Sequence, residues 1–207
     1  MIIAIDGPAG AGKSTVAREV ARRLGLTYLD TGAMYRAVTL AVLRRGVEPT
    51  REEACGRVAR EVRLSFDAEG RVRLDGEAGE PAIRGPGVTA AVSIVSAHPS
   101  VRAAVVREQR AIAAASAGPG RGLVAEGRDT TTVVFPDADH KFFLIATPSE
   151  RARRRALEGG EPERQDQIQA AIEARDALDS SRAHSPLVQA PDAVVIAGAG
   201  TLLAIEF

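Results

Sequence analysis

Eight consecutive residues, Gly7-Pro8-Ala9-Gly10-Ala11-Gly12-Lys13-Ser14, fit the spacing G-x-x-x-x-G-K-[ST] in full, and Thr15 follows directly. The chemistry explains the spacing. Glycines let successive backbone N–H groups turn into one concavity, and a helix starting there adds its positive N-terminal end. The lysine reaches the β- and γ-phosphates of a bound nucleotide, and the hydroxyl after it is placed to ligate Mg²⁺. The chain has two lysines, Lys13 and Lys141, against 25 arginines. A planar guanidinium is too bulky for that compact position, which explains a lysine at 13, whereas Lys141 reads as the opening of a strand. The octet implies binding of ATP or GTP, with Ser14 as the metal ligand it offers.

Two further groups could complete a reaction centre. Asp30-Thr31-Gly32-Ala33-Met34-Tyr35-Arg36 follows a short strand pattern. Thr31 reads as the N-cap of a helix whose first amides could face an anion, with Arg36 in the next turns. A plain cap with a solvated arginine fits these residues equally well, and Met34 and Tyr35 read as packing residues. Arg151, Arg153, Arg154 and Arg155, followed by Gly159-Gly160, form the second group. Four arginines on one short helix repel each other unless phosphates share them; a solvated face paired with Glu150 and Glu158 is the alternative. His98, His140 and His184 show no pairing pattern and read as structural or solvated.

Three reaction classes compete. A regulatory GTPase reads guanine through N-K-x-D, and a chain without asparagine cannot carry that motif. A motor or recombination ATPase needs an apolar strand ending in an acidic residue, for which Leu123-Val124-Ala125-Glu126 would serve. A small-molecule kinase needs a second anion site and an arginine-bearing lid, and both groups above suit it.

These side chains need elements to hold them. Residues 1–6 form an apolar run stopped by Asp6-Gly7-Pro8, a buried strand entering a loop. Apolar positions recur at helical spacing over 13–24 before Gly25. A strand at 26–29 and a helix from 31 to about 45 follow. Val62-Arg63-Leu64-Ser65-Phe66 and Val72-Arg73-Leu74 alternate around turn residues, an antiparallel meander. Helices are expected at 87–97, 99–116, 148–158 and 165–182, and strands at 123–126, 142–146 and 193–197. Strands alternating with helices imply an α/β fold, three layers around a mainly parallel sheet.

In order along the chain, GPAGAGKST, YLDTGAMYRAVTL, SxVSxxPxVR, EGRDTTTVVFPDA, ERARRR and RDxxDSSRxxSPL resemble the bacterial cytidylate (CMP) kinases over about residues 2–196. The resemblance implies a P-loop kinase fold with a small α+β acceptor-binding insertion, and phosphoryl transfer from MgATP to CMP or dCMP. It places ATP on Gly7, Pro8, Ala9, Gly10, Ala11, Gly12, Lys13, Ser14 and Thr15. It gives the acceptor phosphate to Arg36, Arg128 and Arg182, the cytosine edge to Ser93, Arg102 and Asp129, and the ribose or phosphate to Thr31, Arg175 and Asp179. Arg151, Arg153, Arg154 and Arg155 fall in the lid; Lys13, Arg128, Arg151 and Arg155 are the expected catalytic groups. A carboxylate at Asp129 accepts from the cytosine amine, whereas uracil would set a carbonyl against it, so CMP is expected over UMP. One kinase unit over 1–207 is expected, with a core of 1–30 and 117–207, an acceptor-binding region of 31–116 carrying the strand insertion near 62–83, and a lid at 148–160. Three positions depart from the family pattern: Thr130-Thr131 where Ile-Gly or Met-Gly is expected, Glu126 for a shorter aspartate, and Ala197-Gly198 for a polar sequence. The other readings are a UMP or dTMP kinase of the same fold and a non-kinase ATP-binding regulator.

Composition narrows the partners. Lys+Arg and Asp+Glu are both 27 in 207 residues, a net charge of zero without the basic excess of a nucleic-acid or membrane-surface binder. Cys55 is the single cysteine, which excludes an intrachain disulfide and a thiolate zinc site. The weakly polar stretch 193–205 is too short to span a bilayer, and the first residues lack a basic leader. A cytoplasmic monomer is expected.

Overall fold

The computed structural model describes residues 1–67 and 69–197, so the expectations for Gly198 and beyond lie outside the described residues. In chain order the elements are β1 (Ile2–Asp6), α1 (Lys13–Leu24), β2 (Thr27–Asp30), α2 (Thr31–Arg44), α3 (Glu52–Glu61), β3 (Leu64–Phe66), β4 (Val72–Leu74) and β5 (Glu77–Ala78), then α4 (Pro86–Val95) and α5 (Pro99–Ala115). The rest of the chain supplies β6 (Leu123–Gly127), β7 (His140–Ile145), α6 (Pro148–Glu158), α7 (Gln165–Ser180) and β8 (Val194–Ala197).

The main sheet has the order β2-β6-β1-β7-β8. β1 runs parallel to β6 and to β7, and β7 parallel to β8. Strands covered on both faces read as continuous apolar runs, and Ile3, Ala4, Ile5, Leu123, Val124 and Ala125 are all buried. The β1–β6 register ends at Asp6 opposite Gly127. The loops after β1 and after β6 therefore leave the sheet at the same edge, the carboxyl ends of parallel strands, where ligands bind in open α/β sheets.

The chain forms two compact units, Met1–Leu26 with Leu123–Phe207, and Thr27–Gly122. In the first, α1 packs on β6, and α6 packs along α7. In the second, α2 packs on α4 and α3 on α5. The meander forms as a β3-β4-β5 antiparallel sheet, and its Val72 joins Ala33, Ala37 and Ile83 in a small core edged by Leu40, Leu64 and Phe66. The two ends of this unit meet: Thr27 N–H donates to the Gly122 carbonyl at 3.0 Å.

Three details differ from the sequence reading. Asp30, not Thr31, caps α2: its carboxylate accepts from Ala33 N–H at 2.8 Å, and Thr31 is the first helical residue. A carboxylate at the N-cap satisfies the third amide of the turn, so the acidic residue takes the cap from the hydroxyl beside it. Helix α3 was not expected; Cys55, Gly56, Val58 and Ala59 form its buried face. Residues Thr130–Val134 form one π-helical turn, where only a loop was expected.

Candidate active site

The phosphate loop spans the gap between β1 and α1, and two glycines show why the sequence takes this path. A Cβ on Gly7 would lie 2.2 Å from the Leu144 carbonyl oxygen, so the loop can leave β1 only without a side chain there. Gly12 sits at φ 90°, in the left-handed region, directly before α1 begins at Lys13. Lys13 is 5% exposed, and its Nζ donates to the Pro8 carbonyl at 2.9 Å. Burial, reinforced by the charge of Arg128, lowers its pKa to about 7, against the opposing pull of Glu126 and Asp6. A lysine held this way gains its charge most readily when phosphate arrives.

Around a second buried centre the chain gathers three arginines. Asp179, on α7, is 1% exposed. Arg128 Nε donates to its Oδ2 at 3.0 Å, Arg182 NH2 to its Oδ1 at 2.5 Å, and Arg175 Nε lies 4.0 Å from Oδ2. Arg175 and Arg182 flank Asp179 at helical spacing, whereas Arg128 comes from the loop after β6. Arg128 and Arg175 both lower the Lys13 pKa, so the phosphate-loop lysine and this cluster share one electrostatic environment. Four of the expected site residues of this unit beyond the loop itself are thereby brought together: Arg128, Arg175, Asp179 and Arg182. Asp129 is buried beside Arg128 at 4% exposure.

The arginines of α6 separate into three kinds. Arg153 and Arg154 both bond Glu150 at 2.9 Å and hold its carboxyl down to about 2, which is the solvated-face alternative. Arg151 is buried: it donates to the Ala146 carbonyl at 3.1 Å, to the Ala9 carbonyl at 2.9 Å and to Asp176. The other Asp176 oxygen accepts from Ala9 N–H at 3.1 Å, so this ion pair grips both polar groups of a phosphate-loop residue. Arg155 is open to solvent yet ringed by protein, and its pKa is lowered by desolvation and by Arg128.

In the second unit, Arg36 NH1 donates to the Ile83 carbonyl and to Thr89 Oγ1, both at 3.1 Å, and Thr31 is buried. Arg102 is 4% exposed, donates to the Ser96 carbonyl at 3.1 Å, and stacks its guanidinium 5.1 Å from the Tyr35 ring centroid. Ser93 lies on α4, half-buried.

Sequence reading missed Asp176, the role of Tyr35 under Arg102, and the burial of Asp6 against Thr130 and Thr131. Asp176 sits next to Arg175 in the late motif, and Asp6 directly precedes Gly7, so position alone was a signal for both. Among the described residues no group of three or more His, Cys, Asp or Glu side chains could hold a metal ion. The donor set suits Mg²⁺ carried in with phosphate oxygens, since that ion commonly uses one or two protein ligands and keeps the rest from phosphate and water. Ser14 is the hydroxyl at that position. Among the described residues no single helix is long and apolar enough to cross a membrane.

Comparison with known proteins accords with this geometry. The family model for cytidylate kinase matches residues 3–205. The cytidylate kinase of Mycolicibacterium paratuberculosis (strain ATCC BAA-968 / K-10) is 51% identical over 202 residues, covering 95% of this chain and 87% of that protein. That of Pelotomaculum thermopropionicum is 51% identical over 201 residues, covering 94% and 87%. The bifunctional pantoate ligase/cytidylate kinase of Synechococcus sp. (strain CC9311) is 50% identical over 207 residues, covering 96% of this chain but 41% of that protein. The chain thus spans about two-fifths of the length of such bifunctional relatives.

Proposed function

The chain belongs to the cytidylate kinase family, and from that premise we propose that it transfers the γ-phosphoryl group of MgATP to the phosphate of CMP or dCMP, giving ADP with CDP or dCDP. The observation that carries this reading is the convergence of Arg128, Arg175 and Arg182 on buried Asp179, in the electrostatic environment of Lys13. Two anions must be brought together, and positive groups fixed by a buried carboxylate suit that task better than mobile surface arginines.

The bond between the γ-phosphorus and its bridging oxygen breaks, and an oxygen of the acceptor phosphate forms the new one. That oxygen is ionised at neutral pH, so no general base is needed, in keeping with three histidines outside any catalytic grouping. Gly7 to Thr15 hold the triphosphate. Mg²⁺, met by Ser14, would supply charge neutralisation. Lys13, Arg128 and Arg155 stabilise charge on the transferring group. Arg36, Arg128 and Arg182 hold the acceptor phosphate, and Thr31, Arg175 and Asp179 meet its ribose or phosphate. Ser93, Arg102 and Asp129 read cytosine, the stack on Tyr35 fixing the plane of the Arg102 guanidinium. Arg153 and Arg154 keep a lid role on the donor side, and Arg151 acts on the phosphate loop from behind.

The test is ADP release from MgATP against CMP, dCMP, UMP, AMP, GMP and dTMP. Preference for CMP and dCMP is the expected result. Preference for UMP or dTMP would make the chain a different kinase of this fold, and ATP binding without acceptor-dependent ADP release would make it a regulator.

A further inference from the structure

Asp6 ends β1, and the phosphate loop begins at the next residue. Its carboxylate is fully buried, and each oxygen takes two donors from far along the chain. Oδ1 accepts from Thr130 N–H at 2.9 Å and Thr130 Oγ1 at 2.7 Å, and Oδ2 from Thr131 N–H and Thr131 Oγ1, both at 2.7 Å. The two amides would be present whatever side chains stood at 130 and 131. The two hydroxyls are this chain's own contribution, and β-branching holds each in a narrow range of χ1.

The place of this clamp gives it a role. Backbone pairing between β1 and β6 ends at Asp6 opposite Gly127, so past that pair the sheet no longer fixes one loop against the other. Arg128 and Asp129 follow Gly127 at once, and the clamp takes hold at the very next residue. The phosphate loop and the Arg128 loop are therefore moored to a single carboxylate, with two residues of slack between the end of the sheet and the mooring.

We propose that Thr130 and Thr131 are positioning residues: through Asp6, their hydroxyls set the place of Arg128 and Asp129 against the phosphate loop, and so act on the acceptor nucleotide more than on ATP. This rests on the reading above that Arg128 and Asp129 serve the acceptor.

The paired variant Thr130→Val/Thr131→Val keeps shape and both amides and removes only the hydroxyls; Thr130→Ser/Thr131→Ser restores them. We expect the valine protein to lose about 10- to 100-fold in kcat/KM for CMP and to lose part of its preference for CMP over UMP. Its affinity for a non-hydrolysable ATP analogue should stay within about twofold, and the serine protein should return to near the parent values. Equal losses for CMP and the ATP analogue, or an unchanged kcat/KM for CMP in folded valine protein, would overturn the proposal. Should the pair fail to fold, Thr131→Val alone carries the same comparison. Amide exchange at 127–129 separates this idea from the kinase reading. Faster exchange in the valine protein supports the mooring even if no acceptor is ever phosphorylated, and unchanged exchange refutes it.

Discussion

Two arginine-rich regions of this chain look alike as text and differ as structure. On α6, Arg153 and Arg154 turn back to Glu150 at i,i+3 and i,i+4 spacing, Arg153 exposed and the other two half-buried. Around Asp179, arginines from α7, from two residues past its end and from a loop 51 residues away meet one carboxylate that is 1% exposed. The first arrangement is a local charge match between neighbours on one helix, and it adds little to stability. The second holds its guanidiniums where screening is weak and where Lys13 feels two of them. Density of arginine along the chain is therefore a poor guide to which guanidiniums the fold holds in place; convergence on a buried carboxylate from distant segments is the better one. Arg155 bridges the two cases, since it belongs to α6 by sequence and senses Arg128.

Substitutions can break that contrast. Arg128→Ala should cost about 10²–10³-fold in kcat/KM for the acceptor with a normal melting transition; a loss under tenfold would dissolve the distinction between the two regions. Arg151→Ala leaves Asp176 charged, partly buried and with only the Ala9 amide to meet it, so unfolding free energy should fall by about 2 kcal/mol in a urea titration. A loss below about 1 kcal/mol would return Arg151 to the solvent-facing class. The pH dependence of ATP binding comes next. In the free protein Lys13 is neutral above about pH 7, and contact with phosphate restores its charge. Binding above pH 7 should then take up a proton, and affinity should fall by up to about tenfold per pH unit as pH rises. Calorimetry at pH 8 in buffers of different ionisation enthalpy measures that uptake, and none would contradict the lowered pKa. Smallest of all, Arg153→Ala should leave the urea midpoint of unfolding unchanged, because water screens the pair it removes.

What could be read from the sequence was whatever is written in neighbouring residues. The phosphate loop, its flanking strand and helix, and the alternating meander are all local patterns. Resemblance to a family supplied the expected acceptor residues, Arg175, Asp179 and Arg182 among them. What stayed hidden is non-local. Nothing in a threonine pair says that its hydroxyls meet an aspartate 124 and 125 residues earlier. Arg151 and Arg153 read alike because each has acidic residues nearby. They part only when α7 brings Asp176 against Ala9, a pairing 167 residues apart. Asp30 took the cap from Thr31 because two capping residues stood side by side and one had the stronger acceptor.

The place of β1 in the sheet sets an order on synthesis. It is made first, yet its hydrogen-bonding partners on either side are β6 and β7, beginning at Leu123 and His140. Thr27–Gly122 is one unbroken stretch, and its internal contacts can form before either partner exists, although β2 within it still awaits β6. On the ribosome that stretch can fold while β1 and the phosphate loop wait, an apolar strand with two open edges. Such long-range pairing slows folding and exposes the strand to wrong partners. Chaperone supply during synthesis should therefore raise the yield of folded protein.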